Sequence, residues 1–539
     1  MNGRGGDAAC RLPFGASCIG QTAVSRNFRL EFTLRNRYNG MRQKADSFFL
    51  SGQIQLGGLN MSTATQSSAS QRIAALLDDS SFVEIGGLVT ARNTDFGLSG
   101  KSTPADGVIT GYGTIDSNLV YVYSQDASVL GGSVGEMHAK KIERLYSLAM
   151  KVGAPVIGLI DCAGLRLEEA TDALAAFGKI YECQTLASGV IPQITAVFGV
   201  CGGGMAVVPA LTDFTFMESG KAKLFINSPN ALDGNKTLDT ASAAFQSAEA
   251  GLVDAAGTEE AMISEIRRLV PILPANNEDD QSYDECTDDL NRLCGDLEAS
   301  AGDPALALPM ISDNGFFFEV KRNYAKDMVC GFIRLNGNTV GAVANRTVEY
   351  DDEAKEKAKY DAVLSTAGAQ KAAAFVKFCD AFSIPVLTLT NVRGYKATTE
   401  EEKTIARAAA GLIYAFHDAT VPTVNVITGE AFGTASLAMN SSADLTFAWP
   451  ASSVGMMDPT AAAKIIYADE IEKADDQNAL ISAKASEYAK LQDSADSAAR
   501  RGYVDSIIDP ASTRKNVIAA FEMLFTKRED RPERKHGTV

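Results

Sequence analysis

Histidine is scarce in this chain of 539 residues, which contains only His138, His417 and His536. Imidazole is the side chain that most readily exchanges protons near neutral pH, so its scarcity argues against a histidine base or a histidine-bound metal. His536 falls in a basic tail, and the other two fall in helical patterns. We therefore expect them at helix surfaces or only partly hydrogen-bonded, and we expect no metal site in the chain.

Several familiar motifs are also missing. The nine cysteines form no CxxC pair, which argues against a zinc ribbon or a thioredoxin-type site and suits a reducing cytoplasm. There is no GxxxxGK[ST] phosphate loop, no GxGxxG and no HExxH. One GxSxG match, Gly131–Gly135, lies several residues past the apolar run 119–123, so we interpret it as a glycine-rich structural loop and not as a nucleophile elbow.

The charge is strongly negative and unevenly distributed. A net charge of −17 argues against a general nucleic-acid surface, because phosphate binding needs clustered Lys and Arg. Residues 1–60 differ, with eight basic residues against three acidic ones, or 8 − 3 = +5. The preferred interpretation is that translation starts at Met61; a disordered extension and a targeting peptide are the alternatives.

A long repeat organises the sequence. Residues 153–161 return as residues 383–391, and residues 191–199 return as 421–429, in both cases at an offset of 230. So long a period indicates two tandem domains of one fold and not a solenoid. The same offset relates further pairs: Lys141 and Lys371, Gly164 and Gly394, and Gly203 and Gly433.

Each copy reads as an α/β unit with a parallel sheet. Apolar runs such as 156–160 and 386–389 are typical of strands buried on both faces, and the helical patterns between them supply crossovers. The uncharged stretch 183–212 contains two prolines and three consecutive glycines, so we predict a strand, a turn and a helix instead of a membrane span. The predicted segments are an extension (1–60), a first domain (61–275), an acidic linker (276–310), a second domain (311–525) and a charged tail (526–539).

Two small-residue turns carry the predicted chemistry. Residues 199–205 and 429–435 each follow an apolar strand and precede a helical pattern. Small residues let a ligand carbonyl approach the main chain, and N–H groups at a helix start point outward, as in an oxyanion hole. The alternative is that close packing of helix on strand alone requires these glycines.

The chain resembles a known enzyme family over residues 70–525. It is similar to the carboxyltransferase component, or beta-type subunit, of biotin-dependent acyl-CoA carboxylases and decarboxylases. The resemblance is carried by Asp-Gly-Val-Ile-Thr-Gly-Tyr-Gly-Thr at 106–114 and by residues 124–126, 131–138, 189–192, 209–217, 378–382 and 447–450.

The resemblance implies two tandem crotonase-like (ClpP/crotonase) domains and assigns roles to both turns. The amides of Gly203 and Gly204 would hold the thioester oxygen of an acyl-CoA as an enolate forms. Those of Gly433, Thr434 and Ala435 would hold the ureido oxygen of biotin. Two residues of the loop after the strand 156–160, Gly164 and Arg166, would lie beside coenzyme A.

The implied reaction moves a carboxyl group between carrier-bound biotin and the α-carbon of a short-chain acyl-CoA, which is acetyl- or propionyl-CoA in one direction and malonyl- or methylmalonyl-CoA in the other. The partners that the resemblance implies are a biotin carboxyl carrier protein, a biotin carboxylase or a membrane decarboxylase pump subunit, and further copies of the chain in a hexamer that is a trimer of dimers. One alternative is the carboxyltransferase subunit of a sodium-pumping malonyl- or methylmalonyl-CoA decarboxylase. A biotin-independent hydratase or isomerase of the same fold is another.

Three loops depart from the family pattern, at 162–166, 392–395 and 433–436. These departures leave the expected reaction type unchanged and leave the acyl group open.

Overall fold

The computed structural model describes residues 67–94, 96–279, 282–351, 353–532 and 537. These residues belong to one compact unit, Gln66–Val539. The predictions for residues 1–60 concern a segment outside the described residues.

The first half of the unit forms an eight-stranded sheet in the order β1-β2-β3-β4-β5-β6-β8, with β7 paired to β5. The first three strands are antiparallel neighbours, and β3 to β6 and β8 run parallel. Its strands are β1 Val83–Glu84, β2 Val108–Ile115, β3 Asn118–Gln125, β4 Val156–Cys162, β5 Gln193–Gly202, β6 Phe214–Glu218, β7 Lys223–Phe225 and β8 Ala255–Gly257.

The second half repeats this sheet strand for strand. Its order is β18-β16-β15-β14-β11-β10-β9, with β17 paired to β15. A separate hairpin, β12 Val348–Tyr350 and β13 Glu356–Lys359, follows β11. The sheet strands are β9 Phe317–Val320, β10 Met328–Leu335, β11 Asn338–Asn345, β14 Val386–Val392, β15 Thr423–Phe432, β16 Leu445–Ala448, β17 Ser453–Gly455 and β18 Ser506–Ile507.

Helices supply the crossovers between parallel strands. Within the described residues, the α-helices of the first half are Ser68–Leu76, Glu136–Val152, Ala170–Ala187, Val207–Ala210, Ala243–Ala248 and Glu259–Leu269. Those that follow are Leu297–Ser300, Pro304–Ile311, Thr366–Ala381, Thr399–Glu402, Ile405–Asp418, Gly433–Ala438, Pro459–Ile466, Ala468–Glu472, Gln477–Tyr488, Ala495–Arg500 and Thr513–Leu524. None of the described helices is long and apolar enough to cross a membrane.

The offset of 230 residues also relates the strand pairings of the two sheets. Pairing between β4 and β5 has the same partners as pairing between β14 and β15, and both shift register at the same place. The equivalent pairs are Val156 with Gln193 and Val386 with Thr423, then Cys162 with Cys201 and Val392 with Ala431. The mixed α/β architecture with parallel sheets predicted from the sequence is confirmed.

The repeated lysines occupy equivalent buried positions. Lys141 Nζ donates to the carbonyl oxygens of Ala105 and Val108, and Lys371 Nζ donates to that of Met328 at 2.8 Å. Val108 and Met328 are the first residues of β2 and β10. Burial lowers the pKa of Lys141 to about 8 and also lowers that of Lys371. Each lysine therefore fastens its helix to the start of a sheet strand.

Two predictions from the sequence have clear outcomes here. The stretch 183–212 contains β5, a short 3-10 helix and the helix Val207–Ala210, which confirms the predicted strand, turn and helix. The prediction that His138 lies at a helix surface is wrong. Its side chain is 0% exposed, and it faces Gln125 Nε2 at 3.2 Å and the Asp106 carbonyl oxygen at 3.0 Å. The helix Glu136–Val152 turns this residue toward the loop before β2.

The segment predicted as an acidic linker contributes to the core beneath the second sheet. Leu297 and Leu308, from two short helices within it, are fully buried beside residues of β10 and β11. Asp303 is also buried, and hydrogen bonds from Arg346 Nε at 2.9 Å and from the Tyr350 amide replace the water that its carboxylate loses. The acidic composition of this segment therefore includes a carboxylate that holds the fold together.

Candidate active site: two matching backbone turns

The first turn joins β5 to a short 3-10 helix, Gly203–Ala206. Gly203 has φ +59°, a left-handed conformation that L-residues with a Cβ rarely adopt. A methyl group at this position would meet no atom within 4 Å. The glycine is therefore required by backbone conformation, and the space beside it is open to a ligand.

The second turn repeats this backbone at an offset of 230. Gly433 has φ +62° and begins the helix Gly433–Ala438. The residues before the two glycines also match: Gly202 has φ −113° and ψ 156°, and Phe432 has φ −114° and ψ 139°. The two turns therefore have the same backbone conformation although their side chains differ.

Both turns present backbone N–H groups at a helix start. The first amides of a helix have no acceptor within the helix, and the aligned peptide dipoles make this end positive. At the first turn these amides belong to Gly203 and Gly204, and at the second to Gly433, Thr434 and Ala435. A carbonyl oxygen that gains negative charge is stabilised by such donors without any catalytic acid.

Aromatic residues of the helix Ala170–Ala187 hold the first turn in place. Tyr181 donates its hydroxyl hydrogen to the Gly204 carbonyl oxygen at 2.5 Å, and its ring packs edge-to-face on Phe177. A Cβ at Gly204 would lie 3.0 Å from Tyr181 Oη. Any larger residue at 204 therefore pushes on the side chain that fixes the carbonyl orientation.

The loop after β4 passes beside the first turn. Gly164 has φ +107°, and a Cβ there would point at the Gly202 carbonyl oxygen, 3.7 Å away. Its amide donates to Cys162 Sγ at 3.3 Å. Burial raises the pKa of this thiol to about 11, so Cys162 acts here as a neutral acceptor. The structure thus places Gly164 beside Gly202, the residue before the first turn, and its position beside coenzyme A stays a prediction.

Arg166 requires a correction. Its side chain is 1% exposed, and its Nη1 contacts Asp106 Oδ1 at 2.5 Å and Glu169 Oε1 at 2.8 Å. Its Nη2 donates to the Ser133 carbonyl oxygen at 2.6 Å. Four of the five N–H donors of this buried guanidinium are directed at Asp106, Glu169 and Ser133, so Arg166 is not exposed to a ligand such as coenzyme A. The sequence shows only that an arginine is present. Its burial and its ion pairs indicate that it positions the loop and does not contact a ligand.

A cavity of about 900 Å³ opens beside the second turn. Its lining includes Gly433 and Thr434, and every residue that lines it belongs to the second half of the chain. Ala435 is 1% exposed and is not among the lining residues. Gly203 and Gly204 are not among the lining residues, so within one chain the two turns do not share this cavity.

Asp493 also lines this cavity, and sequence reasoning missed it. It ends a π-helix, Ala489–Asp493, and is 3% exposed, and neither carboxylate oxygen has a hydrogen-bond partner among the described residues. Burial, followed by the charge of Asp458, raises its pKa to about 6. No motif surrounds it, so the only available signal is structural: π-helices are rare and are frequent at functional sites.

Comparison with known proteins identifies the family. The Carboxyl transferase domain family matches residues 63–539. The chain belongs to the carboxyl transferase family. The family confirms the resemblance predicted from the sequence and the expected activity, a biotin-dependent acyl-CoA carboxyltransferase. The biotin-independent hydratase or isomerase alternative is not supported.

Individual relatives agree with this assignment. A propionyl-CoA carboxylase carboxyltransferase subunit from Haloferax mediterranei is 39% identical, covering 87% of this chain and 93% of that protein. A methylmalonyl-CoA decarboxylase alpha subunit from Veillonella parvula is 40% identical, covering 87% and 92%. Among solved structures, transcarboxylase 12S, described as a hexamer with methylmalonyl-coenzyme A bound, superposes with a TM-score of 0.82 at 36% identity, covering 88% of this chain and 92% of that one.

Proposed function

We propose that this carboxyl transferase moves a carboxyl group between biotin on a carrier protein and the α-carbon of propionyl-CoA or methylmalonyl-CoA. The amides of Gly203 and Gly204 hold the thioester oxygen, and those of Thr434 and Ala435 hold the ureido oxygen. The observation that carries the proposal is the identical left-handed glycine, at φ +59° and φ +62°, that begins a helix at both turns. The relatives' names support the choice of acyl group.

The chemistry needs two anion-stabilising turns because charge develops on two oxygens. As the carboxyl group leaves the acyl α-carbon, the electron pair of the broken C–C bond moves onto the thioester oxygen. Hydrogen bonds from Gly203 and Gly204 strengthen as that oxygen becomes an enolate. Biotin, when bound, supplies the ureido nitrogen that accepts or delivers the carboxyl group. The backbone donors at the second turn lower the cost of charge on the ureido oxygen.

We also propose how the turns meet. Each sheet belongs to one crotonase-like domain, with boundaries at 61–275 and 311–525. The first turn of one subunit faces the second turn of another, in a hexamer built as a trimer of dimers. Exposed apolar side chains favour this assembly, because a partner would cover them: Leu165 and Leu167 in the loop after β4, and Leu437 and Met456 at the cavity beside the second turn.

The direction of transfer has two candidates. A carboxylase would add the carboxyl group with a carrier and a biotin carboxylase as partners. A decarboxylase coupled to a membrane pump would remove it. The 40% identity to a decarboxylase alpha subunit supports this candidate to the same degree as the 39% identity to a carboxylase subunit supports the first. The residues at both turns serve either direction, because the same two oxygens carry charge both ways.

A decarboxylation assay tests the proposed function. The purified chain is mixed with free biotin and, separately, with malonyl-CoA, methylmalonyl-CoA or glutaconyl-CoA, and the decarboxylated CoA product is followed. We expect biotin-dependent product from methylmalonyl-CoA. Product without biotin, or no product from an intact oligomer with any of the three, would contradict the proposal.

A substitution at the first turn tests the site. Gly204→Val places a branched side chain 3.0 Å from Tyr181 Oη and moves the amides, so transfer should fall about a hundredfold or more while the oligomer persists. The matched control is Gly295→Val, because a Cβ at Gly295 meets nothing within 4 Å. Equal turnover in both variants would remove the first turn from the active site.

A further inference from the structure

The two turns differ in what fills the space beside them. At the first turn, β7 places Phe225 opposite Gly202, and the ring would be 2.9 Å from a Cβ on that glycine. At the second turn the two residue types are exchanged, because Phe432 pairs with Gly455. The carboxylate of Asp493 packs against Gly455 so closely that an added methyl group would overlap it. A phenyl ring therefore packs against the paired glycine at both turns, and the second turn has a buried carboxylate in addition.

The position of Asp493 is costly in the absence of a ligand. A buried carboxylate is stable only when hydrogen-bond donors replace water. Among the described buried carboxylates, Asp493 alone has both oxygens without a partner. It lines the same cavity as Gly433 and Thr434, beside the strand that pairs with the residue before the turn. A carboxylate buried only to stabilise the fold would have hydrogen-bond donors within the protein. Because Asp493 lacks such a donor among the described residues, its position points to a bound molecule.

We propose that the Asp493 carboxylate turns toward the cavity and accepts a ring N–H of the cyclic urea of biotin, while the amides of the second turn hold its oxygen. The inference rests on the proposed function and adds a binding residue that the backbone turn does not include. A cyclic urea presents one acceptor oxygen flanked by N–H donors, so a site with N–H groups alone satisfies half of it. A charged acceptor supplies the other half with a strong hydrogen bond.

Binding measurements on the full chain test this inference directly. The probe is D-biotin, with ligand-observed NMR as the readout. Asp493→Asn should raise the dissociation constant for biotin about tenfold or more, as expected for loss of a charged acceptor, and leave the KM for methylmalonyl-CoA within about twofold. The matched control is Asp496→Asn, which removes one charge from an exposed carboxylate paired with Arg500. It should bind biotin like the natural sequence.

Small cyclic ureas isolate the N–H contact. The chain should bind 2-imidazolidinone more tightly than 1,3-dimethyl-2-imidazolidinone, which keeps the oxygen and lacks both N–H groups. Asp493→Asn should reduce this preference. Natural affinity for biotin and an unchanged preference in Asp493→Asn would overturn the inference while leaving the transfer activity, and so the proposed function, intact. No biotin binding and no biotin-dependent turnover in the natural sequence would overturn both.

The pH dependence of biotin binding provides a further readout. A substitution of Asp493 would not change this dependence if the residue had a purely structural role. The pKa of about 6 means that the carboxylate is ionised above that pH, so biotin binding should weaken as pH falls through 6. The dependence should be absent in Asp493→Asn and should move to lower pH in Asp458→Asn, whose side chain still caps the helix Pro459–Ile466. The charged or titratable groups around Asp493 are Asp458, Tyr488, Arg501 and Tyr503, and Ser453–Gly455 contributes none.

Discussion

Replacing Arg166 by methionine separates a positioning role from a ligand contact. In the structure Arg166 Nη1 lies 2.5 Å from Asp106 Oδ1 and 2.8 Å from Glu169 Oε1, and all three side chains are fully buried. Removing the arginine leaves two carboxylates facing each other without a counterion. Burial raises the pKa of Asp106 even with Arg166 present, so its environment is already unfavourable to charge.

The expected cost follows from these contacts. Breaking a buried ion pair by removing one partner typically costs about 3–5 kcal/mol of folding free energy, because a buried charge is left uncompensated. Arg166→Met should therefore lower the melting temperature by several degrees at fixed protein concentration. The triple variant Asp106→Asn, Arg166→Met, Glu169→Gln removes all three charges and keeps the acceptors for the amides of His138 and Glu136. It should regain most of that loss.

Calorimetry and steady-state kinetics measure the two roles separately. A positioning role predicts a lower melting temperature and a lower kcat, because the loop carrying Gly164 shifts against the first turn. A contact with coenzyme A predicts an unchanged melting temperature and a raised KM for the acyl-CoA. Arg166→Met with natural stability and only a raised KM would refute the reasoning from burial.

Two further predictions concern the glycines of the two turns and Asp493. Gly203→Ala and Gly433→Ala should each lower the free energy of unfolding by about 1–2 kcal/mol, because alanine disfavours the left-handed backbone. Gly433→Ala should have the lower melting temperature of the two, because its methyl group would lie 3.2 Å from the Met456 carbonyl oxygen. The reverse order of melting temperatures would contradict this. The pKa of Asp493 is about 6 in the folded protein and 3.8 ordinarily, so the folded state binds more protons than the unfolded state between these pH values. The protein therefore loses stability as pH rises through that range, by about 3 kcal/mol in all. The melting temperature of Asp493→Asn relative to the natural sequence should therefore increase from pH 4 to pH 6, and a constant difference would show that the carboxylate is stabilised by a partner.

Much of the fold is visible in the sequence because it depends on local pattern. The apolar runs at 156–160 and 386–389 are β4 and β14, since parallel strands covered on both faces need side chains that avoid water on both sides. The offset of 230 appears in the strand register because equivalent residues occupy equivalent pairs. The glycines at 203 and 433 are identified in the same way, because a left-handed turn leaves few other residue types.

Other features depend on contacts between distant parts of the chain. Burial of His138 and Arg166 is set by the loops packed against them, and the helical pattern around His138 gives no sign of it. Asp493 is 60 residues from Gly433 in sequence, yet both line one cavity because β17 carries Gly455 to the edge of β15. A carboxylate in an acidic chain has no distinguishing pattern until its neighbours are known.

The sequence by itself therefore determined the repeated α/β architecture, the two glycine turns and the family, because each is written in backbone requirements and periodicity that neighbouring residues share. Only the tertiary structure decided which charged groups are enclosed. Atoms from elsewhere in the chain determine whether Arg166 contacts a ligand or two carboxylates. They also determine whether the Asp493 carboxylate is exposed to water or is buried beside a cavity. Desolvation is a property of the packed neighbourhood, so it cannot be read from the residues on either side.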